Sequence, residues 1–226
     1  MNKYIKGDVN LSNLYLKEIP EIFNGVSIEG SINLTENSLT TLNNFPELVT
    51  ENIELLRNPL TSLAGIKQKF ISGILRVSGK FSDFEGCPAN VTRLTCINNI
   101  RLTSLKHMPT NILEVKIMAT SLKSLEYLTQ NQRGVYYLID CKLKSLEGLP
   151  PNRCKSINVS FNELKDLTGA PEIVDGTFNC SHNPLVSLKG FPKQTESVVI
   201  HNFMNDHNLT IKEVRKVCNT GKVTVM

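Results

Sequence analysis

A pair of apolar residues spaced as Leu-x-x-Leu recurs through most of the chain at an almost constant interval. We take the first residue of each pair as a marker, and the nine markers are Leu16, Leu39, Leu60, Phe81, Leu102, Leu122, Leu143, Leu164 and Leu185. Successive gaps are 23, 21, 21, 21, 20, 21, 21 and 21 residues. Such a period predicts repeated units that bury a core only by stacking on their neighbours.

Each repeat also carries two apolar residues that usually lie seven and five positions before its marker, such as Ile53 and Leu55. A spacing of two places both side chains on one face of a short strand. The fourth repeat is one residue short at this point and the fifth is one residue long, and the corresponding pairs are Leu75 with Val77 and Leu94 with Cys96. The sequence therefore predicts one strand per repeat, with uncertain strand phase in these two repeats.

Polar and turn-forming residues keep the same period. Proline often lies four residues after the second leucine, with glycine two residues before it, as in Gly148 and Pro150. A unit of this length can hold a short strand and an irregular return, but not a helix of typical length as well. We therefore predict a parallel sheet and little helix before residue 205. Asparagine lies two residues before the marker at Asn37, Asn58, Asn162 and Asn183.

The segments INLTENSLTTL, IELLRNPLTSL, INVSFNELKDL and FNCSHNPLVSL resemble leucine-rich repeats with the pattern Leu-x-Leu-x-x-Asn-x-Leu. The short period and recurring proline resemble the short bacterial class found in effectors of enteric pathogens, and similar Gly-x-Pro repeats occur in proteins of bacteria and large phages. The resemblance covers roughly residues 7–200. It implies a leucine-rich-repeat solenoid with a curved parallel β-sheet on the concave side and irregular or extended convex returns.

This sequence departs from the family pattern in several repeats. Leu14, Gly79, Thr120 and Cys141 stand where the pattern has asparagine. The amide side chain of that asparagine satisfies backbone groups in the tight turn. We therefore expect the buried ladder of amides to be interrupted at these four turns.

The predicted domain organisation is one solenoid over residues 1–205, with nine clear repeats and one degenerate repeat, closed by a C-terminal cap over residues 206–226 of the same domain. Residues Thr210 to Glu213 predict a capping box at the start of a helix. Ile211, Val214, Val217 and Cys218 would line one face of that helix. Asn219 and Gly221 would end it before a short last strand over residues 222–226.

Composition narrows the class of protein. The net charge is +4 with charges of both signs interspersed, which favours solubility and makes nucleic-acid binding unlikely. The six cysteines form no Cys-x-x-Cys pair, so a zinc site is not expected. The start of the sequence lacks the apolar run of a signal peptide, and no stretch is long enough to span a membrane. We therefore expect a cytoplasmic protein with reduced thiols.

No sequence motif for catalysis or cofactor binding is present: the chain lacks a Gly-x-Ser-x-Gly turn, a Walker loop and a dinucleotide fingerprint. We expect neither an enzyme nor a bound cofactor. His201, Asp206 and His207 lie close together in the sequence, and imidazole with carboxylate suits zinc or iron. A polar loop leading into the cap is the preferred interpretation, so no metal site is predicted. His107 and His182 are isolated in the sequence.

The solvent-facing strand positions, six and four residues before the marker, are the most informative surface. Terminal repeats place asparagine followed by serine or threonine there, as in Asn10 with Ser12. Central repeats depart from this default, and large apolar residues exposed together on a sheet mark interaction sites. The alternative is drift of an unconstrained surface. The predicted partner-binding residues are Arg76, Ile97, Lys116, Met118, Tyr137 and Ile139.

These observations together predict a non-enzymatic scaffold that binds a protein partner through its concave face. The resemblance suggests a phage or bacterial accessory or effector-like protein. One alternative is a structural or assembly component of a larger complex. A second alternative is nucleic-acid binding through the basic C-terminal region, which would weaken strongly as salt is added.

Overall fold

In a computed structural model of the chain, residues 3–201 and 210–225 are described. The chain divides into two compact units, Met1–Ile112 and Leu113–Met226. Each unit is a parallel β-solenoid in which hydrogen-bonded neighbouring strands are about one repeat apart in sequence. The prediction of a repeat solenoid is therefore confirmed at the level of fold.

In the first unit, two parallel sheets are formed by strands of different length. Its strands are β1 (Lys3–Lys6), β2 (Val9–Asn10), β3 (Val26–Glu29), β4 (Ile32–Asn33), β5 (Leu48–Val49), β6 (Ile53–Leu60), β7 (Phe70–Gly79) and β8 (Asn90–Ile97). The main sheet has the order β2-β4-β6-β7-β8, and a smaller sheet has the order β1-β3-β5. One turn of 3-10 helix lies at Glu21–Phe23.

The second unit continues the same pattern and ends in a helix and a strand. Its elements are β9 (Glu114–Met118), β10 (Val135–Ile139), β11 (Arg153–Cys154), β12 (Ser156–Asn158), β13 (Ile173–Asn179), β14 (Gln194–Ile200), α1 (Ile211–Val217) and β15 (Asn219–Val225). The sheet order is β9-β10-β12-β13-β14-β15, with β11 paired to β13. All of these pairings are parallel, as expected when each strand returns in the same direction.

Strand register in the first unit settles the phase of the two irregular repeats. Leu75 aligns with Ile53 on one side and with Leu94 on the other, so the one-residue shifts inferred from the apolar pattern are present. Val77 and Cys96 follow on the same buried face, and both are fully buried. The core of each unit is built from these strand residues together with the Leu-x-x-Leu pairs of the returns.

Most marker residues are inaccessible to solvent. Leu60, Leu143 and Leu164 each have a relative exposure of 0%. Leu16 in the first turn is only half-buried, because a terminal turn has a neighbour on one side only. Away from the first turn, the marker residues therefore belong to the core.

Buried asparagine side chains form a ladder across several of the turns. The amide of Asn162 donates to the carbonyl oxygen of Leu138 in the preceding turn (2.7 Å) and accepts from the Leu143 N–H (3.2 Å). Asn58 and Asn183 make equivalent bonds. Each amide thus joins two turns and satisfies backbone groups that the turn leaves unpaired.

The fifth turn has a buried asparagine one residue earlier than the sequence pattern placed it, and its bonds differ from those of Asn58, Asn162 and Asn183. Asn99 has a relative exposure of 0%, and its amide donates to the carbonyl oxygen of Phe81 (2.9 Å). The extra residue in this repeat moves the amide by one position. Applying the shift already seen in the strand would have predicted it.

A left-handed backbone conformation also recurs in most turns, immediately before the ladder position. The residues with positive φ there are Asn13, Glu36, Arg57, Asn98, Ala119, Asp140, Phe161 and His182. No residue of the fourth turn has this conformation at the corresponding place, because that turn is one residue short. Three residues, 78–80, separate Val77 from its marker, whereas four residues, 56–59, separate the aligned Leu55 from its marker in the turn before.

The C-terminal segment confirms the predicted capping box but not the predicted helix face. The Thr210 hydroxyl accepts from the Glu213 N–H (3.2 Å), and the Glu213 carboxylate accepts from the Thr210 N–H (2.7 Å). Val214 and Cys218 are buried, whereas Ile211 and Val217 are more than two-fifths exposed, so the prediction was wrong for these two residues.

The last strand also begins earlier than predicted. Asn219 and Gly221 belong to β15 rather than to the end of the helix, because the open edge of β14 offers backbone partners to them. The predicted boundary between residues 205 and 206 lies outside the described residues, so the assignment of solenoid and cap to one domain stays a prediction. In the part of the chain that the structure describes, no helix is long and apolar enough to cross a membrane.

Candidate interaction surface

The predicted partner-binding residues all lie on the sheet face opposite the core. In the second unit, Lys116 and Met118 of β9 align with Tyr137 and Ile139 of β10. Neighbouring parallel strands are about 4.8 Å apart, so these four side chains form one patch. All four are half-buried, as expected for strand side chains flanked by others on the same face.

The two remaining residues lie on neighbouring strands of the first unit. Arg76 of β7 aligns with Thr95 of β8, and Ile97 follows two residues after Thr95 on the same face. Both are half-buried. The structure therefore groups the six predicted residues into a pair in one unit and a set of four in the other.

Tyr137 is the largest side chain of the group of four. It lies between Lys116 on one side and Asn158 on the other. Within the described part of the chain, neither the Tyr137 hydroxyl nor the Lys116 ammonium has a hydrogen-bond or ion-pair partner. Both groups remain available to a molecule that covers this face.

Tyr136, the preceding residue, has a structural role in the core. It is 1% exposed, and its hydroxyl donates to carbonyl oxygens of the return segment, Thr129 and Asn131 (both 3.1 Å). Burial raises the pKa of this phenol to about 12. The strand phase therefore has Tyr136 inward and Tyr137 outward.

Arg76 differs from the other predicted contact residues because it already has a partner. Its guanidinium pairs with the carboxylate of Glu54 on the adjacent strand β6. A partner that used the Arg76 charge would have to compete with Glu54. Sequence reasoning missed this pair because it depends on strand register between two turns.

The default asparagine and serine positions of the outer repeats are internally satisfied. The side-chain oxygen Oδ1 of Asn158 accepts from the Ser160 N–H (3.0 Å) and from the Ser160 hydroxyl (2.7 Å), and Asn10 with Ser12 has the same distances. Ser160 is buried, as is Ser78 in the fourth turn, so the prediction that these strand positions face the solvent was wrong for both serines. The Asn-x-Ser pattern is thus a local strand-end motif.

His182 and His201 lie next to each other in the second unit. His182 stacks on the ring of Phe161 at a centroid distance of 4.0 Å, and its Nε2 lies 3.3 Å from Nδ1 of His201. His182, although isolated in the sequence, therefore contacts two aromatic side chains. Asp206 and His207 lie outside the described residues. Among the residues that are described, no group of three or more potential ligands converges.

The cysteine thiols are poorly suited to nucleophilic chemistry. Cys141, Cys154 and Cys180 are buried. Burial raises the pKa of Cys141 to about 11 and that of Cys154 and Cys180 to about 12. Reactivity depends on the thiolate, so these groups remain protonated and unreactive near neutral pH.

Compared with protein-family models, with curated proteins and with solved structures, the chain has no significant match. The fold assignment therefore depends on the geometry described above, and the assignment of function depends on the candidate surface.

Proposed function

We propose that this chain is a leucine-rich-repeat scaffold that binds a protein partner through the outward, concave face of its sheet and carries out no catalysis of its own. The observation that carries the proposal is the contrast along the outward strand positions. Outer repeats fill them with asparagine and serine that bond to each other, whereas the central strands carry Lys116, Met118, Tyr137 and Ile139 without such local bonds.

The chemistry of the four central residues fits a protein surface. Tyrosine and methionine are enriched at the centres of protein interfaces, and an exposed tyrosine gives a large contact area at small cost in side-chain entropy. A lysine beside these residues adds one charge that favours an acidic position on the partner. The repeat frame holds the strand backbone in place, so the surface is rigid before it binds.

Comparative affinity capture tests the proposal. The parent protein and a Met118→Ala/Tyr137→Ala variant would each be used to capture proteins from the cytosol of the cells that make this chain, followed by mass spectrometry. We expect a protein that the parent enriches and the variant loses. The matched control is Tyr127→Ala, because Tyr127 is an exposed tyrosine outside the outward strand face (58% exposed).

Two results would contradict the proposal. A partner captured equally by the parent and by the Met118→Ala/Tyr137→Ala variant would place the binding site elsewhere. Capture of nucleic acid that is lost as salt is raised would favour the basic C-terminal region instead.

A further inference from the structure

The one-residue deletion in the fourth repeat leaves a notch in the first unit. The notch has a volume of about 330 Å³, and its lining includes Leu56, Arg57, Gly79, Lys80, Ile97 and Asn98. Arg57 and Asn98 are the left-handed residues of the third and fifth turns, and the fourth turn has no such residue between them. The notch thus occupies the place where a side chain of the regular repeat would lie.

The chain cannot fill this notch with a side chain of its own at Gly79. A Cβ atom there would lie 2.5 Å from the Leu60 carbonyl oxygen and 2.8 Å from the Phe81 ring, both closer than real Cβ contacts. Glycine is therefore required by the close approach of the neighbouring turn, and the cavity is a built consequence of the shortened repeat.

The chemistry of the lining is divided between apolar walls and a rim of donors. Leu56 and Ile97 come from the outward strand face, whereas Arg57, Lys80 and Asn98 carry cationic or amide groups. Lys80 is exposed and has no ion-pair partner among the described residues. Arg57 pairs with the carboxylate of Glu36 in the preceding turn, so its guanidinium already binds one carboxylate.

The Arg57–Glu36 pair is exposed on both sides, with the two side chains 73% and 41% accessible. Exposed ion pairs of this kind contribute little net stability, so a second carboxylate can replace Glu36 at small cost. Lys80 supplies a cation for which the described chain provides no carboxylate. The charge balance of the notch therefore favours a negatively charged group next to an aliphatic one.

We propose that this notch binds a carboxylate side chain of the partner polypeptide together with a neighbouring aliphatic side chain, with Lys80 and Arg57 contacting the carboxylate and Leu56 and Ile97 contacting the aliphatic group. The inference deepens the proposed function, since it specifies what kind of segment the partner presents. It names an acidic residue adjacent to leucine, isoleucine or valine as the recognised feature.

Titrations with small probes followed by backbone-amide NMR test this site without any knowledge of the partner. The probes are the capped dipeptide acetyl-Leu-Asp-amide, its neutral counterpart acetyl-Leu-Asn-amide, the free acid isovalerate and inorganic phosphate. We expect the acidic dipeptide to shift the amides of Ser78, Gly79 and Lys80 in a saturable way. Its asparagine counterpart should bind about tenfold more weakly, because it lacks the charge that the rim cations stabilise.

Substitutions at the rim of the notch show which cationic side chains bind the carboxylate of the probe. Lys80→Glu should weaken binding of the acidic dipeptide about tenfold, and Lys80→Gln should weaken it less. The matched control is Lys142→Glu, since Lys142 also precedes its marker directly and makes the equivalent backbone bond (Lys142 N to Leu122 O, 2.8 Å; Lys80 N to Leu60 O, 2.6 Å). Glu36→Gln should strengthen binding, because it removes the carboxylate that competes for Arg57.

Several outcomes would overturn the inference. Equal binding of the acidic and neutral dipeptides would remove the role of charge. Equal shifts by phosphate, spread over many surface lysines, would show unspecific anion binding only. If isovalerate binds and the acidic dipeptide does not, the notch would be a site for a free small acid rather than for a polypeptide. Tyr137 and Met118 lie in the other unit. Their variants should therefore bind the acidic dipeptide as the parent does, even when they lose capture of the partner.

Discussion

The thiol of Cys141 donates to the carbonyl oxygen of Ile117, which lies 24 residues earlier, at an Sγ···O distance of 3.7 Å. The Asn162 amide makes its bond to Leu138 at the same separation of 24 residues. Cysteine therefore takes the place of asparagine in the ladder, but with a weaker and longer bond. The expected interruption of the ladder is thus a substitution of one donor by another at this turn.

Replacement of Cys141 by asparagine should stabilise the protein. Asparagine would provide a stronger donor to the Ile117 carbonyl and an acceptor for the Leu122 N–H, whose present acceptor, the Thr120 hydroxyl, is 3.4 Å away. One improved buried hydrogen bond contributes about 1 kcal/mol to the free energy of unfolding. The measurement is the midpoint of urea unfolding, which should rise for Cys141→Asn.

The reverse change at the next turn is the control for this prediction. Asn162→Cys should lower the midpoint, because it replaces a full amide by a thiol in the same geometry. A Cys141→Asn variant less stable than the parent would show that Thr120 and Cys141 form a locally optimised pair (Oγ1···Sγ 3.3 Å) that an amide cannot replace.

Truncation of a marker leucine should be strongly destabilising. Leu143 is fully buried, so Leu143→Ala removes apolar contacts and leaves a cavity that the stacked turns cannot easily close. We expect a loss of about 2 to 5 kcal/mol in the free energy of unfolding. The same substitution at Leu113, which is 54% exposed, is the control and should cost much less. Equal losses at both positions would mean that burial does not determine the effect.

The sequence was sufficient to predict the repeat architecture because the same apolar positions must be buried in each of nine repeats. Leu75 and Val77 show this best, since their spacing of two identified the buried strand face even though they lie one residue closer to their marker than the pairs of other repeats. Interactions that join different turns were harder to predict. The Arg76–Glu54 pair and the His182–Phe161 stack depend on which residues neighbouring turns bring together.

Short elements at the end of the chain were predicted less well than the repeats. The apolar spacing from Ile211 to Cys218 suggested one buried helix face, but a helix of seven residues has only Val214 wholly inside the core. Asn219 and Gly221 are typical helix terminators, yet they belong to a strand that pairs with the edge of β14. Tertiary hydrogen bonding outweighs local propensity at such positions.

The buried thiols predict a loss of stability at alkaline pH. The pKa of Cys180 is raised from an ordinary value of 9.0 to about 12 by burial, and that of Cys154 likewise. Because the pKa is raised in the folded state, the buried thiols make their full contribution to stability at a pH below their pKa in the unfolded chain. That contribution is lost as the pH rises from about 9 toward 12, because only the unfolded chain ionises in this range.

Two measurements check the behaviour of the thiols. The urea midpoint should be constant below about pH 8 and fall above about pH 9. Cys141, Cys154 and Cys180 should fail to react with a thiol reagent in the folded protein and should react readily in urea. Rapid labelling of these three cysteines without denaturant would contradict the burial that the prediction depends on.

The strongest functional prediction concerns Tyr137, the central side chain of the outward face in the second unit. Tyr137→Ala should weaken binding of the captured partner by about 2 kcal/mol or more if the tyrosine is the anchor of the interface. The free energy of unfolding should hardly change, because the ring points away from the core and its hydroxyl has no partner in the described chain. Titration calorimetry and urea unfolding of the same variants separate the two effects.

Tyr136 provides the contrast that makes this prediction specific. Tyr136→Ala should destabilise the fold by about 3 kcal/mol or more, since it empties a core position and leaves the Asn131 N–H without its acceptor (2.8 Å). Adjacent tyrosines would then show opposite phenotypes, one in binding and one in stability. If Tyr137→Ala leaves the dissociation constant unchanged while Asn33→Ala or Lys216→Ala abolishes binding, the partner binds at an end of the solenoid and the central residues have drifted without constraint.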